Sequence, residues 1–188
     1  MSEKFPAFRP LLQVFFVIAA LGLLAGCELY GTTGGDDANI PGSLPFLLRG
    51  EWAYIQPGND VPAERYVITD TAPNPALEYG YGGGVSPFDY AGTVVFVSNY
   101  SAGSGVIIVK YDPEKKPSYP LYNNGDFCAV YYRNLTDNSV QLANAINLND
   151  MSAPDTASLD EAAAKFTRTM MGAYVDWGAV QPQQRMRK

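Results

Sequence analysis

The chain has 188 residues, 47% hydrophobic and 17% charged, with 13 Lys+Arg, 19 Asp+Glu, two cysteines and no histidine. That length suits one domain with a core large enough to fold unaided, and the missing histidine removes Ser-His-Asp and Cys-His nucleophile systems, histidine general bases and His-ligated zinc. A net charge of −6 has the wrong sign for a nucleic-acid footprint, and two cysteines permit at most one internal disulfide.

Residues 1–10, MSEKFPAFRP, contain Lys4 and Arg9, and residues 11–25, LLQVFFVIAALGLLA, contain no charge. A membrane-crossing helix needs about 20 apolar residues, so this stretch is short for one. A basic start, a short apolar run and small residues before a cut are the order of a secretory signal. The segment ends in Leu24-Ala25-Gly26-Cys27. These four residues resemble the lipobox of bacterial lipoproteins, in which the Cys thiol is diacylglycerylated, a peptidase cleaves before it, and the new amino terminus is acylated. The resemblance covers residues 1–27. It implies a cleaved signal peptide over 1–26, Cys27 as lipid attachment point, the lipid bilayer as partner, and a place in the bacterial cell envelope. Two or more acyl chains anchor stably where one does not. In that family Asp directly after the Cys often retains the protein at the inner membrane; Glu28 stands there, which favours the outer membrane.

Without residues 1–26 the mature chain keeps 162 residues and a net charge of −7. Cys128, between Phe127 and Ala129, is then its one free thiol and reads as a small buried hydrophobe. Residues 27–46 comprise the lipidated Cys and a stretch rich in Gly, Thr, Asp and Pro, the composition of a flexible tether.

From Leu47 the apolar period becomes two. Strands are predicted over 49–56, 64–70, 76–81, 92–99, 105–111, 127–133 and 139–146, each rich in Val, Ile, Tyr, Phe or Thr. Residues 100–104 and 134–138 read as hairpin loops. Short strands with adjacent hairpins predict an antiparallel barrel or meander rather than βαβ units. TVVFV and GVIIV are apolar on both faces, so one face fills an interior and the other needs a helix or a partner. That helix is predicted over 158–171. Ser158 and Glu161 form its capping box, Leu159, Ala162, Ala163, Phe166 and Met170 its apolar stripe, and Gly172 its end. Residues 173–180 read as a short final strand that completes the domain over 47–181, and 182–188 as a frayed basic tail. The predicted class is mainly β with one C-terminal helix.

Gly50-Glu51-Trp52 opens the first strand. It resembles the G-x-W element of lipocalin-type barrels, in which the Trp plugs the closed end and an Arg from late in the barrel stacks on it. The resemblance implies a lipocalin-like barrel with Trp52 as plug and Arg133 as its stacking partner; as an ordinary strand residue, Trp52 is simply buried. Tyr79, Tyr81 and Tyr90 flank a glycine-rich loop, and Tyr119, Tyr122, Tyr131 and Tyr132 lie close together. Flat rings with polar tips suit a semi-polar pocket, although tyrosine is also a good strand residue. Trp52, Tyr79, Tyr81, Tyr131 and Arg133 are the candidate ligand-binding residues. No cofactor is expected: the glycines at 82–84 lack the Lys and helix of a phosphate loop, and Asn147, Asn149 and Asp150 lack EF-hand spacing.

The sequence thus predicts a lipid-anchored, non-catalytic barrel that binds a small amphipathic ligand. The alternative is a structural or protein-interaction module of the envelope without an internal ligand. The first reading requires an enclosed apolar cavity bordered by tyrosines. The second requires a filled interior and an exposed apolar patch. An enzyme would need two carboxylates converging in a cleft, and none is expected.

Overall fold

Short segments rich in β-branched and aromatic residues, separated by turn residues, form strands wherever the rest of the sheet can bury one of their faces. In the structure, a computed structural model that describes residues 42–70, 74–118 and 125–186, seven such segments and one short polar one are strands. They are β1 (Gly50–Tyr54), β2 (Glu64–Thr69), β3 (Ala76–Tyr81), β4 (Tyr90–Ser101), β5 (Ser104–Tyr111), β6 (Phe127–Arg133), β7 (Ser139–Asn144) and β8 (Gln183–Arg185). Each pairs antiparallel with the next, and β8 also pairs with β1, so the sheet is a closed up-and-down barrel. This is the predicted class, with a lipocalin-like strand order. Cys27, Tyr119 and Tyr122 lie outside the described residues.

The strand that closes the barrel is not the predicted one. Residues 173–180 hold a short helix and turn, whereas Gln183–Arg185, expected to fray, forms β8. Three polar residues carry no local strand signal. They are held by the edges of β7 and β1, with Gln183 opposite Val140 and Arg185 opposite Trp52. Closure removes the two free sheet edges that would otherwise remain.

Alternation sorts the side chains. Leu48, Trp52, Tyr66, Ile68, Leu77, Ile107, Val130, Tyr132 and Leu142 belong to the interior cluster and are fully buried. Val106, Ile108, Ala129 and Tyr131 face outward beneath α1 (Leu159–Lys165) and α2 (Met171–Tyr174). A bulge between Val94 and Phe96 breaks the alternation of β4, so that Val95 and Phe96 both reach the outer cluster while Val94 and Val97 stay inside.

The C-terminal helix is shorter than 158–171. Ser158 Oγ caps it by accepting from Glu161 N (3.2 Å), but α1 stops at Lys165 and Gly172 falls inside α2. Tyrosine hydroxyls from the barrel wall stop it: Tyr100 donates to Phe166 O and Tyr131 to Thr167 O, each at 3.3 Å. Carbonyls so engaged satisfy their bonding without a further helical turn. No described helix is long and apolar enough to cross a membrane.

Candidate functional site

The barrel has two unlike ends. At the lower end, Gly50, Trp52 and the 3-10 turn Phe46–Leu48 meet β8. Trp52 donates from its indole N–H to Leu48 O (2.8 Å), and the Arg185 guanidinium lies over its ring at 4.2 Å. Arg185 also donates to Asp137 O and Arg49 O, each at 2.7 Å, and to Leu47 O. Gly50 has φ +126°, and a Cβ there would come within 2.8 Å of Arg185 Nη1. The G-x-W element is thus explained locally: glycine for the backbone turn and the passage of an arginine, tryptophan for the plug.

The arginine stacked on Trp52 is therefore Arg185 and not Arg133. Arg133 lies on the outer surface, 4.3 Å from the centre of the Trp177 ring, and donates to Gln141 Oε1 and Trp177 O. Inward and outward positions alternate on β6, and Tyr132 takes the inward one.

Above the plug lies a continuous aromatic row. Trp52, Tyr66, Tyr79 and Tyr90 are successive cross-strand neighbours on β1 to β4. Ring centroids are 4.9 Å apart for Tyr66–Tyr79, 5.3 Å for Tyr79–Tyr90 and 5.3 Å for Tyr90–Tyr111. Among the described residues, the side chains below this row are buried in one packed cluster. The open space lies higher, at the rim.

β8 is the reason. It covers only the lower half of the seam between β7 and β1, leaving the upper part of β7 without a strand beside it. The Gln183 side chain substitutes for the missing peptide group there. Its Oε1 accepts from Leu142 N (2.8 Å) and its Nε2 donates to Leu142 O (3.2 Å). Gln183 Nε2 also donates to Glu64 Oε2 (2.8 Å), while Tyr66 and Tyr79 hydroxyls donate to Glu64 Oε1, each at 3.2 Å. Burial pushes the Glu64 carboxyl above its ordinary value, and the three donors pull it back.

The notch left by the short strand opens into a cleft of about 840 Å³. Tyr54, Glu64, Tyr79 and Tyr81 line one wall, Leu142, Asn144 and Ile146 the other, and Tyr174 and Val175 the side beneath α2. Tyr54, Glu64 and Tyr81 are neighbours in one row across β1, β2 and β3. A second cleft of about 700 Å³ lies against the glycine-rich loop, shares Tyr79 and Tyr81 with the first, and carries charges of both signs from Arg65, Glu78, Lys115 and Lys116.

Over β4 to β6 the upper end is covered instead by residues 153–156, pinned by the bridge between Phe127 and Thr156. Beneath them Tyr111 donates to Asp155 Oδ1 (3.3 Å), and Asp155 Oδ2 is buried without a partner. Burial raises the Asp155 carboxyl from 3.8 to about 7. Cys128 is buried and unpaired in this corner, and burial likewise raises its thiol, which makes it a poor nucleophile.

The structure therefore divides the sequence candidates. Tyr79 and Tyr81 share the upper cleft. Trp52 closes the opposite end, Tyr131 supports the helix, and Arg133 stacks on the outer surface. Glu64, Gln183, Tyr54 and Asn144 complete the cleft. The row of Tyr54, Glu64 and Tyr81 follows from strand register, which no single segment reveals. Among the described residues no group of three or more Cys, Asp or Glu side chains forms a metal site. Compared with protein-family models, curated proteins and solved structures, the chain matches none.

Proposed function

We propose that this chain is a lipid-anchored, non-catalytic envelope protein whose barrel binds a small amphipathic ligand at its upper end. The observation that carries the reading is the cleft over the β7–β1 notch, where an apolar wall faces tyrosine hydroxyls and one half-buried carboxylate. Pockets for small ligands combine mostly apolar linings with a few polar groups that orient the guest. Exposed Ile55, Val61, Tyr81, Leu148 and Met151 give the same end an apolar character suited to a ligand arriving from a lipid phase. The LAGC element supplies the anchor, and outer-membrane placement follows from Glu28 in the lipoprotein resemblance.

The test is calorimetric titration of octyl β-glucoside, below its micelle concentration, into the full chain held in phosphatidylcholine nanodiscs, with empty discs subtracted. One binding event per chain is expected. Gly172 lines the cleft, and a Cβ there meets nothing within 4 Å, so Gly172→Trp starts from open space and places a large ring beside the cleft. It should abolish binding and leave the melting temperature unchanged. A folded wild-type barrel that binds no glucoside would overturn the reading in favour of an interaction module, which the filled lower barrel and the exposed upper residues also suit.

A further inference from the structure

Glu64 is set in an unusual electrostatic position. No basic side chain among the described residues forms an ion pair with it; the Arg65 beside it points outward to Glu51 at 2.7 Å. Among the described residues, Glu64 and Asp176 are the charged ones that line the upper cleft, and both are acidic. A half-buried carboxylate is expensive to hold without a counter-charge. Oε1 already accepts from two phenols, whereas Oε2 accepts only from Gln183, so one lone-pair direction of Oε2 is left.

The rings around it suit the same guest. Tyr54 and Tyr81 flank Glu64 in register, and Tyr79 and Tyr174 line the cleft with them. Aromatic faces attract cations, most strongly when the cation loses water. A carboxylate within a group of tyrosines, opposite an apolar wall, is complementary to a molecule with a positive nitrogen at one end and a hydrocarbon chain at the other.

We infer that the upper cleft selects cationic amphiphiles, with Glu64 as counter-ion, Tyr54, Tyr79 and Tyr81 as the aromatic surround, and Ile146 and Leu148 against the apolar chain. This rests on the amphiphile-binding reading above and specifies its ligand class. The second cleft has no such selectivity, because Arg65, Lys115 and Lys116 offset its acids. The nitrogen sits at the carboxylate end and the chain leads outward past Leu148 and Met151, both exposed at the rim.

The experiment titrates three probes with the same octyl chain that differ only in head group into the full chain in the same nanodiscs: octyltrimethylammonium, octyl β-glucoside and nonanoate. The cation should bind about tenfold more tightly than the glucoside, and nonanoate most weakly. Glu64→Gln should reduce the ratio of cation to glucoside affinity to about one, whereas Glu78→Gln, outside the cleft, should leave the ratio unchanged. Equal binding of all three probes, or a preference that survives Glu64→Gln, would overturn the cation assignment while the amphiphile site stands. If none of the probes binds, the site and its selectivity fall together. Should Glu64→Gln fail to fold, Tyr54→Leu and Tyr81→Leu decide. Each should weaken the cation several-fold relative to the glucoside, and an equal loss for both probes would overturn the proposal.

Discussion

The two ends of this barrel are built from similar residues to opposite purposes. At the lower end Arg185 covers Trp52, and three of its bonds go to carbonyls of chain that crosses the opening. At the upper end Glu64 meets phenols and an amide but no cation, and Asp155 keeps one oxygen unpartnered. The difference teaches that a buried ring and a guanidinium tied to crossing backbone mark the end that holds the fold together, even though Arg49 Nε there has no partner. Carboxylates without a cation mark the end with the open cleft.

Removing the plug tests this contrast most severely. Trp52 is fully buried at the centre of the lower core, so Trp52→Ala should cost about 3–5 kcal/mol in urea unfolding. A loss under about 1 kcal/mol would show that the lower end is not the stabilising one. Arg185→Met should follow at about 3 kcal/mol, since it removes both the ring contact and charged bonds to carbonyls that stay partly buried. Arg133→Met, which removes the outer stack on Trp177 and the half-buried bonds to Gln141 and Trp177 O, should cost about 1 kcal/mol. Reversal of these two values would restore Arg133 as the structural arginine.

A change at the upper end should act in the opposite direction. Folding raises the Asp155 carboxyl from 3.8 to about 7, so the folded state keeps a proton that the unfolded state has released. Stability therefore falls as pH rises between those two values and levels off above them. Asp155→Asn should flatten that slope and stabilise the barrel by about 2 kcal/mol near pH 8, with little effect near pH 4. Urea unfolding of both proteins across this range measures it. A variant less stable than wild type near pH 8 would mean that Asp155 is a well-paired structural group.

Much of this architecture is legible along the chain. Seven strands occur where a period of two coincides with β-branched and aromatic residues; β3 and β6 match to the residue, and the others shift by one or two residues at their ends. The capping box at Ser158 is equally local, because its partners are three residues apart. The tyrosines of the cleft were also legible in part, as a cluster around the glycine-rich loop. Glu64 was not. In sequence it is one carboxylate among many on strands, and only the rows formed by β1, β2 and β3 put it between Tyr54 and Tyr81.

What the amino-acid order alone determined, then, is seven of the eight strands, two of the hairpin loops, the start of the helix and the Gly50–Trp52 element. All of these rest on interactions within a few residues. Tertiary structure decided which arginine meets Trp52, where the helix stops and which segment closes the barrel. Each depends on groups far apart in the chain: Arg185 reaching Leu47 and Arg49, Tyr100 and Tyr131 donating to the carbonyls just past the helix, and Gln183 standing in for a peptide beside Leu142. A three-residue strand of Gln, Gln and Arg has no propensity of its own to be read. It exists because two sheet edges otherwise lack hydrogen-bond partners, and its shortness leaves open the cleft on which the proposed function rests.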